Sequence, residues 1–409
     1  MLNLDLVESV LSNYKECYGE AAKTVYFSPG RVNLIGEHID YNNGSVLPVA
    51  IDVGNYAAIG ESKDQYFRFF TDKFKQEYQL SLADLETREY KPAGEWTDYI
   101  QATLLELLEA GIKLKPFYAS IGSDLPGGAG LSSSASLELL IATTALAVAD
   151  AELPELELAK LGQVVENKYI GVQSGLMDQL AIALGKEGEA LLYNLANHGY
   201  RHFPLNLAEA RILVIDSHKR RSLRESKYNE RREECQRIAD LLFAEGLIDS
   251  EKRPRYEEGT GLALLDPEKI AEANILLQEY YPEEASILSR RLEHVITENS
   301  RVYEFLQAVD GADLKRAGEV LNASHASLAK NYEVTGKEMD SLATACQAEP
   351  EVYGARICGA GFGGVVIALV SENFDQSMLN RILQNYHEAT GYRAEAYFVN
   401  STNGPSRID

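Results

Sequence analysis

Asp124-Leu-Pro-Gly-Gly-Ala-Gly-Leu-Ser-Ser-Ser-Ala-Ser136 is the stretch on which the fold turns, because it runs straight into the apolar segment Leu137 to Val148. A glycine-rich approach, a serine run and then an apolar helix, Ser133 to Ala149, make a strand-loop-helix junction. The first N–H groups of a helix have no partners within it and form its positive end, so the junction is built to receive a phosphate. The serine hydroxyls add contacts to phosphate or to Mg²⁺. No Gly-Lys-Ser/Thr follows at the required spacing, so this is not a Walker A loop. A flexible loop with one serine as helix cap is the competing reading, and it accounts for only one serine of the run.

Upstream lies Pro29-Gly-Arg-Val-Asn-Leu-Ile-Gly-Glu-His-Ile-Asp-Tyr-Asn-Asn-Gly44, which crowds Arg31, Glu37, His38 and Asp40 into one turn-rich loop. Glu37 and Asp40 accept hydrogen bonds from hydroxyls, and His38 donates or accepts one, as holding a neutral polyol requires. A polar surface loop with an ion pair is the plainer alternative. Downstream, Gly359-Ala-Gly-Phe-Gly-Gly364 matches the dinucleotide fingerprint by its letters. A strand, Val365 to Val370, follows it instead of a helix, so it reads as a tight strand-to-strand turn approached by backbone or ligand. Between these clusters stands Gly171-Val-Gln-Ser-Gly-Leu-Met-Asp-Gln179, where Asp178 reads as a helix cap or a catalytic carboxylate. Glu166, on the preceding helix, reads as a Mg²⁺ ligand or an exposed helical glutamate. His198 and His202 flank Gly199-Tyr-Arg201 in an expected turn and read as surface histidines, and Lys219-Arg-Arg221 as a solvated helix entry.

The remaining pattern is mixed. Leu4, Val7, Val10, Leu11 and Tyr14 recur at helical spacing, and Thr24 to Ser28, Val46 to Ile51, Tyr66 to Phe70 and Phe117 to Ile121 read as strands. Trp96 to Leu108 and Pro154 to Tyr169 read as helices. Beyond Asn194 come a strand, Arg211 to Asp216, and long helices over Leu223 to Phe243, Pro282 to Thr297 and Leu314 to Ala329. The strands Ala355 to Cys358, Val365 to Val370 and Glu395 to Val399 then surround a helix from Phe374 to Ala389, predicting a sheet covered by helices on one face. The expected division is into domains 1–205 and 206–409.

With 409 residues the chain is long enough for two domains meeting at a cleft. Its 62 acidic against 39 basic residues give a net charge of −23, which repels nucleic acid and anionic membrane surfaces. No run reaches the length of a membrane span and no signal peptide opens the chain, so the expected location is the cytoplasm. The four cysteines show no metal-ligand spacing.

Together and in this order, the three glycine-rich clusters resemble the motifs of the GHMP kinases, and Gly30 to Asn42 is similar to the signature of the galactokinase branch. The resemblance implies an α+β, two-domain fold: an N-terminal domain like ribosomal protein S5 domain 2 and a C-terminal ferredoxin-like domain, with the active site in the cleft between them. It implies phosphorylation of the galactose C1 hydroxyl by MgATP, with Asp178 and Arg31 as the catalytic pair. Sugar contacts would come from Glu37, His38, Ile39, Asp40, Gly175 and Tyr228. ATP would lie on Gly128, Ala129, Gly130, Leu131, Ser132, Ser133 and Ser134 with Trp96 near the adenine, and Mg²⁺ on Ser134 and Glu166. No obligate protein partner is implied. Cys358 and Ile39 stand where threonine is more frequent in the family, and neither position carries a charge the mechanism needs. Relatives that only sense galactose are damaged in the serine loop, which is intact here.

Overall fold

The computed structural model describes residues 3–408 apart from 91, 173, 208–209, 220–223 and 256–257, with backbone alone at 224–226. The alternation of β-branched and aromatic residues in the first half builds a six-stranded sheet. Its lateral order is Ser406–Arg407, Thr24–Asn33, Pro48–Glu61, Phe117–Ser123, Tyr66–Thr71 and Gln76–Ser81. Only the pairing of Tyr66–Thr71 with Phe117–Ser123 is parallel. The amphipathic helix Leu4–Tyr18 covers one face, burying Val10 and Tyr14 against Val25, Phe27, Tyr56 and Tyr118. The other face packs against helices Ser133–Ala149 and Met177–Ala183, with Trp96–Glu109 laid against the first of these.

The second half forms a four-stranded antiparallel sheet in the order Val352–Cys358, Val365–Val370, Arg211–Asp216 and Glu395–Val399. Helices separate the first strand in sequence from the second, and helix Gln376–Thr390 separates the third from the fourth. That order and connectivity are ferredoxin-like, with Arg224–Ala244, Ile270–Tyr280, Ala285–Asp310, Leu314–Ser327 and Lys337–Gln347 filling the first crossover. Every residue of Val365–Val370 is buried, so helices on one face do not complete the sheet's cover. Its apolar side chains join one continuous core with those of the first sheet, from Val32 and Phe67 through Ile212 and Leu292 to Val366.

Three expectations change. Gly199–Pro204 is not a turn but a strand, paired with Glu189–Asn194 and thereby with Ser45–Val46. His202 consequently projects from a strand and bonds the Leu184 carbonyl, while His198 occupies the hairpin at φ 56° beside the Tyr193 hydroxyl. The helix expected to stop at Thr297 runs over Ala285–Asp310, because Val302, Phe305, Leu306 and Val309 continue its buried face. Of the basic run, Lys219 pairs with Glu338, and Arg220 and Arg221 lie outside the described residues, as does Leu223.

Candidate active site

The strand Thr24–Asn33 shifts register between Pro29 and Gly30, and Gly30 leaves room for the phosphate loop. A Cβ there would stand 2.6 Å from Leu125 and 2.8 Å from the Leu131 carbonyl. With the loop seated, the Arg31 backbone N–H donates to the Leu131 carbonyl at 3.2 Å and Arg31 Nη1 to the Gly130 carbonyl at 2.6 Å. The rest of the guanidinium faces Asp178 in the first turn of Met177–Ala183: Nε and Nη2 reach Oδ1 at 2.9 and 2.8 Å. Burial opposes the charge of Arg31, but Asp178 outweighs it and holds the guanidinium well above its ordinary pKa.

Ser132 explains why several serines are used. It precedes the helix Ser133–Ala149 in the left-handed conformation, φ 59°, and its side chain does not cap the helix. Its hydroxyl instead donates to Asp178 Oδ2 at 2.5 Å, leaving the helix N–H groups open to an anion. Ser134 donates to Glu166 Oε1 at 2.8 Å, and Ser174 donates to Oε2 at 2.7 Å. Glu166 lies in a π-helical turn, Val165–Ile170, and at 7% exposure it is no exposed helical glutamate. Ser136 serves the fold, bonding the Ser28 carbonyl and Asn55.

The acidic loop faces the same cleft. Asp40 packs on Gly175 so tightly that a Cβ at 175 would sit 1.8 Å from Oδ2. Burial raises the Asp40 carboxyl to about 7, with the Asp178 charge adding to the effect. His38, at φ 61°, is buried and bonds Tyr41 through Nδ1 at 2.8 Å; burial lowers it to about 3, so the ring is neutral. Its Nε2 has no hydrogen-bond partner among the described residues. Tyr228, on helix Arg224–Ala244, sits with its ring 5.7 Å from that of His38.

One cleft is thus lined by Arg31, Glu37, His38, Asp40, Gly128, Gly130, Ser132, Ser133, Ser134, Glu166, Gly175, Asp178 and Tyr228. The side chains of Ile39, Ala129 and Leu131 are in the core, so these residues can serve a ligand only through their backbones. Trp96 stands apart from the lining, stacked on Phe74 with its Nε1 donating to Gln76, while Tyr99, one turn along the same helix, lines the cleft. Sequence reasoning passed over Tyr99, Val172, Ser174, Met177, Gly359 and Ala360 as lining residues. The third cluster was the available signal for the last two. It forms the turn between paired strands, with Cys358 opposite Val365.

The galactokinase galactose-binding signature matches residues 12–61, the GHMP kinases N terminal domain 98–186 and the GHMP kinases C terminal 305–388. A galactokinase of Enterococcus faecalis is 39% identical over 98% of this chain and 99% of its own length. One from Clostridium perfringens is 39% identical over 98% and 100%. A solved Lactococcus lactis galactokinase complexed with galactose superposes with TM-score 0.89 at 34% identity, covering 98% of this chain and 100% of that one. A mevalonate kinase structure, 18% identical with TM-score 0.64, shares the fold over 93% of this chain and 99% of its own. With a two-domain α+β architecture, a full-length match at this identity and both halves matched in order, the chain belongs to the galactokinase family of GHMP kinases.

Proposed function

We propose that this chain transfers the γ-phosphate of ATP to the C1 hydroxyl of α-D-galactose, giving galactose 1-phosphate and ADP, the first committed step of galactose metabolism. The observation that carries the reading is the convergence of Arg31, Asp178 and Ser132, where the sugar-type loop meets the phosphate loop. In it, domains 1–205 and 206–409 form the walls of the cleft, the enzyme works in the cytoplasm, and galactose and ATP are its partners.

Asp178 orients or accepts the proton of the attacking hydroxyl. Oδ1 is engaged by Arg31, so the hydroxyl replaces the donation of Ser132 at Oδ2. Arg31 sits between that carboxylate and the Gly130 carbonyl, where its charge offsets charge spreading over the transferring phosphoryl group. A loose transition state asks for positioning and neutralisation more than for early deprotonation, which suits a carboxylate bound to arginine. Glu37, Asp40, neutral His38 and Tyr228 hold the sugar hydroxyls, Gly175 leaves room for Asp40, and Ile39 supports the loop from the core. The phosphates rest on the backbone of Gly128 to Ser134, with Trp96 toward the adenine.

Ser134 and Glu166 pair through oxygens 2.8 Å apart, a hard donor set suited to Mg²⁺, which takes one or two protein oxygens and completes its shell with phosphate and water. Bound there, the ion would supply charge neutralisation at the phosphates.

Purified protein given MgATP and a panel of galactose, N-acetylgalactosamine, arabinose, glucose, mevalonate and homoserine should release ADP with galactose above all others. Asp178→Asn should lower that turnover by about 100-fold or more while ATP still binds. Near-normal turnover by the variant, or another substrate preferred, overturns the reading.

A further inference from the structure

Glu37 is gripped on three sides by residues from the far half of the chain. Its backbone N–H and that of Gly36 donate to Glu298 Oε1 at 3.2 and 3.1 Å. Its carbonyl lies 3.0 Å from His294 Nε2, and its carboxylate Oε2 accepts from Arg356 Nη1 at 2.8 Å. Arg356 also donates to the carbonyls of Leu34 and Asn33, so it pins the chain leading into the loop. Glu298, His294 and Arg356 are all fully buried.

The protonation of this cluster is internally consistent. A carbonyl only accepts, so His294 Nε2 carries a proton, and Nδ1 accepts from the Ser327 hydroxyl at 2.9 Å. Burial lowers His294 to about 4, in keeping with a neutral ring. For Glu298 burial acts upward, but the charges of Arg301 and Arg356 outweigh it and hold the carboxylate at about 2. Its remaining bonds go to Ser324 at 2.8 Å and Arg301 at 2.7 Å. The loop is worth holding: His38 has a positive φ, 61°, a conformation that a non-glycine residue in an unsupported loop would leave.

We propose that Glu298, His294 and Arg356 are positioning residues for sugar recognition, forming a buried cradle that fixes Glu37 while leaving its Oε1 for a substrate hydroxyl. The inference rests on the sugar-kinase reading. Its consequence is that galactose affinity, but not nucleotide affinity, depends on the helix Ala285–Asp310, which does not line the cleft.

The test uses the full chain and measures galactose and ADP affinity by calorimetry, steady-state kinetics and thermal unfolding. His294→Phe keeps the ring that packs 4.4 Å from Tyr332 but loses both hydrogen bonds. It should weaken galactose binding and raise the galactose KM about tenfold, with kcat and ADP affinity within a factor of about three. His294→Gln, which restores an N–H donor, should recover most of the affinity. Glu298→Gln should show the same selective loss, and His294→Phe decides the matter where Glu298→Gln fails to fold. Galactose affinity unchanged in folded His294→Phe, or galactose and ADP affinity lost together, overturns the cradle. Wild-type protein that binds no galactose overturns the sugar-kinase reading itself.

Discussion

Asp40 stores a conflict between stability and binding. Its carboxyl is raised from 3.8 to about 7, so between those values the folded chain holds a proton that the unfolded chain has lost. The stabilising contribution is therefore complete below about pH 4 and disappears as the pH rises through about 7. Asp40→Asn removes the dependence: urea unfolding should find the variant more stable than wild type at pH 8, by at most about 4 kcal/mol, with the gap closing toward pH 4. Galactose affinity should fall in the same variant, and an unchanged gap across that pH range would contradict the assignment. At this scale the sequence was informative. Thirteen of the seventeen candidate positions line one cleft: Arg31, Ser132 and Asp178 stand in short glycine-rich motifs legible by themselves, whereas Tyr228 and Gly175 were indicated by the family resemblance alone. Glu298, His294 and Arg356 were illegible, since a buried polar side chain on a helix or strand looks like a surface one until its partner across the fold is known.

The glycine turn shows what an element demands of single residues. Gly361 has φ 74°, and a Cβ there would lie 2.1 Å from the Val334 carbonyl, which accepts from the Phe362 N–H at 2.7 Å. Gly361→Ala thus meets both left-handed strain and a backbone clash, and should cost about 2 kcal/mol or more, read as a lower urea midpoint. A variant as stable as wild type would show that the turn relaxes freely. Elements with a strong apolar pattern were readable: Ser133–Ala149, Arg211–Asp216, Val365–Val370 and Glu395–Val399 match their expected bounds. Weakly patterned ones were not. Met177–Ala183 spans only seven residues, and Gly199–Pro204 opens with a glycine and alternates too briefly to signal a strand. Their state is set by pairing and packing with distant segments.

Across the whole molecule, the two sheets are tied by a returning tail. Thr402 N–H donates to Ala50, Gly404 to Gly185 and Ile408 to Val25, and Ser406–Arg407 pairs with Phe27 and Tyr26. Removing residues 402–409 should lower the calorimetric melting temperature by about 5 °C or more, since several backbone hydrogen bonds worth about 1 kcal/mol each are lost. A shift under about 1 °C would show that the tail is ornamental to stability. This tie has a consequence for how the protein is made. A ribosome would have released every other strand of the six-stranded sheet before Ser406–Arg407, so the outer edge of Thr24–Asn33 stays unpaired at Tyr26 and Phe27 until that segment emerges. The nascent chain would therefore carry an open β edge that only its own late-emerging segment closes, and chaperones should engage it there until translation has passed that point.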